Sequence, residues 1–269
     1  MSEYQYYEFR AIDRPLTAWE QEDVRRLSSR VEPTPTRAVF TYSYGDFRGD
    51  PLKLLETHFD AMLYIANWGS KRLAFRFPRS LVDPALLKPY CGYDEVTVTT
   101  TEQHVVLDIS FHDEDGLGWI EGEGLLDPLE SLRHDILRGD LRAPYLAWLQ
   151  AAQWSSEMDP VDLDDGLDDS DMDEADSDGD DPLEILPVPA GLGQLSVPLQ
   201  AFVDFFAIDA ELIARAAAVS APLASRDDQI ERQVAMLPEQ ERTAWLVRVA
   251  RGEPNIDVQL MRRLREVGQ

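Results

Sequence analysis

A run of acids late in the chain comes nearest to a recognisable ligand-binding pattern, because spaced aspartates can hold calcium. A calcium loop of the EF-hand type has oxygen ligands at positions 1, 3 and 5, glycine at position 6 and glutamate at position 12. With Gly179 at position 6, acids occupy positions 1, 3 and 5, but Ile185 occupies position 12. The three acids are Glu174, Asp176 and Asp178. The sequence therefore predicts no structured metal site there.

The four histidines are a second possible source of metal or acid–base chemistry. His104 and His112 flank one predicted strand and are roughly 26 Å apart when it is extended, so they cannot share a metal ion. Residues 112–115 read His-Asp-Glu-Asp, a composition that is also typical of a hydrated turn. We therefore predict no metal site, while a chemical role for His112 itself stays open.

Nucleophile and cofactor motifs are equally weak. Cys91 is the single cysteine of the chain, and its turn-like surroundings contain no evident general base. Ser70 follows Gly69 but lacks the second glycine of a G-x-S-x-G nucleophile elbow. Residues 191–193, Gly-Leu-Gly, follow no predicted strand and so do not form a dinucleotide-binding turn. The sequence predicts no cofactor and leaves open whether Cys91 has a chemical role.

Negative charge is concentrated in one part of the chain. The formal net charge is −26, and residues 157–181 contain 14 of the 51 acids and no base. Such a run repels itself and cannot bury enough apolar surface to fold, so we predict an acidic disordered linker at residues 157–186. The same charge disfavours binding to nucleic acid. No export signal or apolar stretch of membrane length is visible, which predicts a soluble, cytoplasmic protein.

The first 156 residues alternate strand and helix patterns and predict an α+β domain. Strands are expected at residues 4–12, 38–44, 72–77, 95–102 and 104–111, with the last two forming a hairpin. Helices are expected at residues 18–29, within 50–69, and at 128–137 and 140–154. This order fits an antiparallel or mixed five-stranded sheet with helices packed on one face.

The segment after Asp50 has the strongest helix signals in the chain. Asp50 is a good capping residue, Pro51 suits the first helical position, and Gly69 lies beyond the expected end. Apolar residues then recur at spacings of three and four, which indicates one buried helix face. These residues are Leu52, Leu55, Phe59, Met62 and Leu63.

Residues 187–269 predict a small helical module. After a turn-forming connector, helices are expected at residues 195–206, 209–219, 239–251 and 256–267. In the third of these, Trp245, Leu246 and Val249 are expected to line one face, with Arg242 and Arg248 on the other. Four short amphipathic helices make a thin core, so this apolar face is expected to pack on the first domain or on a partner.

Four segments together carry a resemblance to known sequences. They are YQYYEF at residues 4–9, GDFRGDP at 45–51, ANWG at 66–69 and the connector at 189–195. With them the chain resembles an uncharacterised family of bacterial hypothetical proteins along most of its length, the acidic run being the variable part. Because that family has no assigned activity, the resemblance implies no catalytic residue.

These features favour a non-enzymatic protein–protein interaction or regulatory protein, binding a protein partner through the helical module or the acidic linker. The residues predicted to contact the partner are Trp245, Leu246, Val249 and Arg48. One alternative is an enzyme whose site is assembled from scattered residues, namely His112, Asp113, Asp115 and Arg48. A second alternative is an acidic inhibitor that mimics nucleic acid.

Overall fold

The computed structural model describes residues 3–113, 121–158, 186–223 and 227–267. Most of the predicted acidic linker and its calcium-like loop lie outside the described residues, as do Glu114 and Asp115. The strands are β1 (Gln5–Arg10), β2 (Arg37–Tyr42), β3 (Ala61–Ala66), β4 (Ser70–Pro78), β5 (Val96–Thr100) and β6 (His104–His112). The helices are α1 (Ala18–Arg25), α2 (Pro51–His58), α3 (Ser131–Leu137), α4 (Arg142–Met158), α5 (Val197–Phe206), α6 (Ala210–Val219), α7 (Asp227–Met236), α8 (Glu239–Ala250) and α9 (Ile256–Val267).

The strands form one sheet in the order β2-β1-β3-β4-β6-β5, and every neighbouring pair is antiparallel. This arrangement confirms the α+β class and selects the antiparallel form of the predicted sheet. The predicted hairpin is confirmed as β5 and β6, with Val98 opposite Leu107. The expected count of five strands is wrong, because β3 lies where the sequence predicts a helix.

Strand β3 occupies the second half of that predicted helix. Helix α2 begins as expected, with the Asp50 side chain capping its first turn, but it ends at His58. The backbone of Phe59 is already extended, with φ −124° and ψ 170°. Met62 and Leu63 are then buried in different clusters on opposite faces of the sheet. Because both faces of β3 are covered, its residues are apolar without alternation, and their pattern does not distinguish a strand from a helix.

Helices cover both faces of the sheet, so the expectation of one covered face is wrong. On one face, Phe9, Phe40 and Met62 pack with buried residues of α1 and α2. On the other face, Leu73 and Leu107 pack with residues of α3, α4, α5 and α6. The two clusters draw on alternate residues of each inner strand, as the pleat of a strand covered on both sides requires.

The helices after residue 186 divide into two groups. Helices α5 and α6 contribute Phe202, Phe206 and Leu212 to the core on the α3–α4 face of the sheet. The remaining helices, α7, α8 and α9, are called the C-terminal helix trio below. Helix α9 contacts both α7 and α8, and Leu237, between α7 and α8, and Leu264 of α9 are buried. The division of the chain into separately folding units at 1–156 and 187–269 stays a prediction, although the two parts share a core. No helix in the described ranges is long and apolar enough to cross a membrane.

Asp50→Ala is expected to lower the free energy of unfolding by about 1 kcal/mol. The Asp50 carboxylate accepts hydrogen bonds from the N–H groups of Leu52 at 2.8 Å and Lys53 at 3.2 Å, and alanine offers no acceptor. Urea denaturation measures the change. Asp50→Ser is the matched control, because serine caps helices almost as well as aspartate. Equal losses in the two variants would contradict the capping role.

Candidate functional site

Helix α8 holds three of the four predicted contact residues, and its sequence explains where it begins and ends. Pro238 precedes it with an extended backbone, φ −55° and ψ 144°. Glu239 and Glu241 lie in its first turn and Arg248 in its last, where each charge interacts favourably with the helix dipole. Gly252 follows with a positive φ of 65°, a conformation suited to the end of a helix. The predicted contacts therefore lie on one rigid element.

The side of α8 that faces α9 is polar. Glu241 accepts hydrogen bonds from Arg263 Nε at 2.7 Å and from Trp245 Nε1 at 3.4 Å. Arg248 donates to Glu253 at 2.7 Å, and its guanidinium lies 4.6 Å from the centre of the Trp245 ring. The hydrogen bond from Arg263 lowers the pKa of Glu241. Ion pairs and a cation–π contact therefore hold this side of the helix.

The rest of α8 is open to solvent, and its exposed apolar residues lie on more than one side of the helix. Leu246 and Val249, three positions apart, share one side, whereas Val247 is two positions from Val249 and lies on another. Leu246, Val247 and Val249 are 69%, 43% and 49% exposed, and no residue of α8 is buried. Arg242 lies one turn before Leu246, on the same side, and is also exposed. Surface helices ordinarily turn apolar residues inward and charged residues outward. In α8 the charged Glu241 and Arg248 face α9, whereas Leu246 and Val249 are exposed with Arg242 beside them. The expectation that Arg242 and Arg248 share a face opposite the apolar residues is therefore wrong.

A cleft of about 480 Å³ lies beside Trp245, between the C-terminal helix trio and the end of β4. Arg262 donates across it to the carbonyl oxygen of Ser80 at 2.8 Å. The walls of the cleft combine charged and apolar side chains, including those of Asp13, Leu81, Trp245, Asn255, Arg262 and Arg263. Its arginines and its aspartate are engaged by groups of the protein itself.

Asn255 connects the C-terminal helix trio to the loop that follows β1. Its Nδ2 donates to Asp13 Oδ1 at 2.8 Å, across 242 positions of sequence. Its φ of 53° is in the left-handed region, which asparagine tolerates better than most residues. The buried Arg133 binds the same Asp13 carboxylate through two hydrogen bonds of 2.8 Å. The trio is therefore attached at this point through a buried ion pair.

Asp60 lies beneath this attachment and is only 1% exposed. Its Oδ1 accepts from Arg76 at 2.7 Å and lies 3.6 Å from Arg133, while its Oδ2 accepts from the N–H groups of Ile12 and Asp13 at 2.7 and 2.9 Å. Burial raises the pKa of Asp60, but the Arg133 and Arg76 guanidinium groups outweigh it and hold that pKa below its ordinary value. Asp60 is therefore an ionised carboxylate whose oxygens are both engaged.

Arg48, the fourth predicted contact, lies far from α8. It is exposed in the loop between β2 and α2. That loop adjoins the beginning of β1, where Gln5 Nε2 donates to the carbonyl oxygen of Gly45 at 3.1 Å. Asp13, which lines the cleft beside Trp245, follows the other end of β1. Arg48 and α8 are therefore separated by roughly the 20 Å length of a six-residue strand, and their contact roles stay predictions.

The residues of the enzymatic alternative are only partly brought together. His112 ends β6, and its Nδ1 lies 3.1 Å from Ser70 Oγ. Asp113 follows it, Asp115 lies outside the described residues, and Arg48 lies in the loop after β2. Strands β1, β3 and β4 separate β2 from β6. Within the part of the chain that the structure describes, no three His, Cys, Asp or Glu side chains are grouped so as to hold a metal ion.

Cys91 has the surroundings of a structural thiol. It is half-buried and free, and its Sγ donates to the carbonyl oxygen of Leu87 at 3.5 Å. Burial raises the pKa of the thiol. Because the thiolate is the nucleophilic form, a raised pKa makes Cys91 less reactive than an exposed cysteine.

Four residues of this region escape prediction from the sequence. Val247 is exposed on α8 but lies on a different side from Val249, and a helical wheel would place it apart from the predicted contacts. Asn255 directly precedes α9, and asparagine before a helix is a recognisable signal. Asp13 and Arg133 pair across 120 positions, and no local pattern indicates such a contact.

Comparisons with known proteins found no match, whether to family models, to curated proteins or to solved structures. The resemblance that the sequence analysis drew from the YQYYEF, GDFRGDP and ANWG segments is therefore not supported by these comparisons. The geometry of α8 and of the contacts beneath it is what bears on function.

Proposed function

We propose that this chain is a non-enzymatic protein that binds another protein through the outer side of α8. The observation that carries the proposal is that Leu246 and Val249 are exposed on one side of α8 while charged side chains face α9. Ion pairs hold the inner side of α8, while Leu246, Val247 and Val249 face solvent. Covering apolar surface contributes about 25 cal/mol for each Å² removed from water. Apolar side chains grouped on one rigid helix fit an interface better than single scattered ones do.

The partner that suits this surface has an apolar centre and an acidic group beside it. Arg242 and Arg251 are exposed near the two ends of α8, and arginine is enriched at protein interfaces. They are nine positions apart and therefore lie on opposite sides of the helix, so only Arg242 is beside Leu246. Its positive charge, on a chain of net charge −26, favours an acidic group on the partner, because opposite charges steer partners into register. A second copy of this chain fits less well, because two such net charges repel each other.

The charges around the cleft beside Trp245 support binding rather than catalysis. Arg263 pairs with Glu241 at 2.7 Å, and Asp13 is held by Arg133 and Asn255 at 2.8 Å. General acid–base catalysis needs a group that can exchange a proton with the substrate. Groups already engaged in this way are better suited to fixing the position of α8.

Replacing Leu246 and Val249 together by Asp is expected to weaken partner binding at least 100-fold. Central interface residues contribute roughly 2 kcal/mol each when truncated, and each carboxylate would be buried without a partner charge. The free energy of unfolding should change by less than about 0.5 kcal/mol per site, because both side chains are exposed. Quantitative affinity purification of tagged wild type and variant identifies the partner, and calorimetric titration with that purified partner measures the affinity.

Val219→Asp is the matched control, because Val219 is 64% exposed on α6. Retention of the partner by the double variant, or its equal loss with Val219→Asp, would contradict the proposal. Deleting residues 157–181 distinguishes this proposal from the alternative of an acidic inhibitor that mimics nucleic acid. In that alternative, binding is lost with the acidic run and weakens steeply as the salt concentration rises. Binding through α8 survives that deletion.

A further inference from the structure

Strand β2 is an edge of the sheet, and part of its outer side is open. The N–H of Ala11 donates to the carbonyl oxygen of Thr36 at 2.9 Å, so these two form a directly bonded pair. Bonded pairs recur every second residue in an antiparallel ladder, so Phe40 also faces β1. The N–H and C=O groups of Val39 and Thr41 therefore point away from the sheet. Among the described residues, no backbone group bonds to them on that side.

The open stretch is short and is bordered by two grooves. At Arg37 the edge is closed, because its N–H donates to Thr34 Oγ1 at 2.9 Å and its carbonyl oxygen accepts from the Thr34 N–H at 2.8 Å. Beyond it, grooves of about 470 and 450 Å³ share Arg37, Val39 and Thr41 as common walls. A single extended chain along this edge would run beside both grooves.

Taken together, the two grooves along this edge have a net negative charge. Arg37 lines both of them, but its charge is balanced by the buried Glu8 carboxylate at 2.8 Å. Arg30 is the other base of the first groove. Three exposed acids remain, namely Glu32 in the first groove and Glu121 and Glu123 in the second. A basic ligand therefore complements this edge, as it complements the net charge of −26.

We propose that β2 binds an extended, basic peptide segment of another protein as an added strand of the sheet. Backbone hydrogen bonds to Val39 and Thr41 hold the segment, and its Lys or Arg side chains face the three glutamates. A second copy of this chain is not the occupant, because it would bring a second net charge of −26 to the same edge. The peptide site is separate from the outer side of α8 and does not depend on the function proposed there.

A fluorescein-labelled peptide of sequence Lys-Val-Lys-Val-Lys-Val-Lys-Val, followed by fluorescence anisotropy with the full chain, tests this site. Val39→Pro removes an outward N–H and leaves the hydrogen bonds to β1 in place, so it is expected to weaken binding at least tenfold. Val39→Thr keeps the N–H and should bind as the wild type does. Val98→Pro is the matched control, because Val98 has the equivalent outward position on the opposite edge strand β5.

Equal binding by the wild type and Val39→Pro would overturn the proposal. Equal binding is also the result expected if the peptide binds the acidic run by charge alone.

If Val39→Pro does not fold, peptides methylated on alternate backbone nitrogens test the site instead. Every second N–H of a bound strand faces β2, so methylating that set of nitrogens should abolish binding, while methylating the other set should leave binding unchanged. Equal loss of binding with the two methylated peptides would overturn the proposal. A second peptide with Glu in place of each Lys tests the preference for basic side chains, and binding equal to that of the Lys peptide would overturn it. Dimerisation that Val39→Pro abolishes would show that the occupant is a second copy. The Leu246→Asp, Val249→Asp variant should bind the peptide normally.

Discussion

Asp60→Asn is expected to lower the free energy of unfolding by about 3–5 kcal/mol, because it removes one member of a buried charge network. Asp60 accepts hydrogen bonds from Arg76 and from the N–H groups of Ile12 and Asp13, and it lies 3.6 Å from Arg133. Asparagine has a single acceptor oxygen, so one set of donors loses its acceptor. The Arg76 guanidinium would also lose the negative charge that compensates its burial, whereas Arg133 would keep its pair with Asp13.

Urea denaturation followed by circular dichroism measures this loss. Glu22→Gln is the control, because the Glu22–Arg25 pair is exposed, with a distance of 2.8 Å between neighbouring turns of α1. Breaking such a pair changes stability by less than about 1 kcal/mol. Unfolding of Asp60→Asn at the same urea concentration as the wild type would show that the network contributes little to stability.

The pH dependence of that loss provides a second check on the charge of Asp60. Its pKa in the folded protein is below the ordinary value of 3.8, because Arg133 and Arg76 outweigh the effect of burial. A carboxyl group with a lowered pKa stabilises the fold fully above its ordinary pKa, and the effect is lost as the pH falls through the folded pKa. The difference between wild type and Asp60→Asn should therefore be constant from pH 7 to 5 and shrink below about pH 4. A difference that grew in acid would contradict this.

The same stretch of chain shows why the strand count escapes prediction. Phe59 and Met62 continue the three- and four-residue spacing of α2, so periodicity alone extends the helix through Asp60. In the structure Asp60 is held by Arg133 of α3, a residue 73 positions later that gives no local signal. By contrast, the hairpin of β5 and β6 follows from alternating residues close in sequence, and its prediction is confirmed.

Helix α8 shows a different limit of prediction. Its existence follows from local signals, because Pro238 precedes it and Gly252 follows it. Local signals do not show which side of α8 faces the rest of the protein, because a helix with this sequence could bury either the Trp245–Leu246 region or its charged residues. The choice depends on Arg263 of α9, which pairs with Glu241. An orientation set by a later helix is invisible to a pattern read along α8 alone.

Phe202→Ala is expected to destabilise the protein by about 3–5 kcal/mol, the loss typical of removing a buried aromatic side chain. Phe202 is fully buried on α5, and its ring centre lies 5.0 Å from that of Phe206. Phe206 in turn lies 5.2 Å from Phe111 of β6. Val197→Ala is the control on the same helix, because Val197 is 78% exposed and its truncation opens no cavity.

Calorimetry of Phe202→Ala shows whether the parts of the chain before and after the acidic run unfold together. Because the ring contacts run from α5 into β6, we expect a single unfolding transition that moves as a whole to lower temperature. Hydrogen exchange of the β6 amides should then accelerate together with that of α5, since both open in the same event. Two transitions, of which only one moved, would instead show that residues 187–269 fold separately from the sheet. In that case the contacts between Phe206 and Phe111 would be a docking surface between two folded units rather than part of one core.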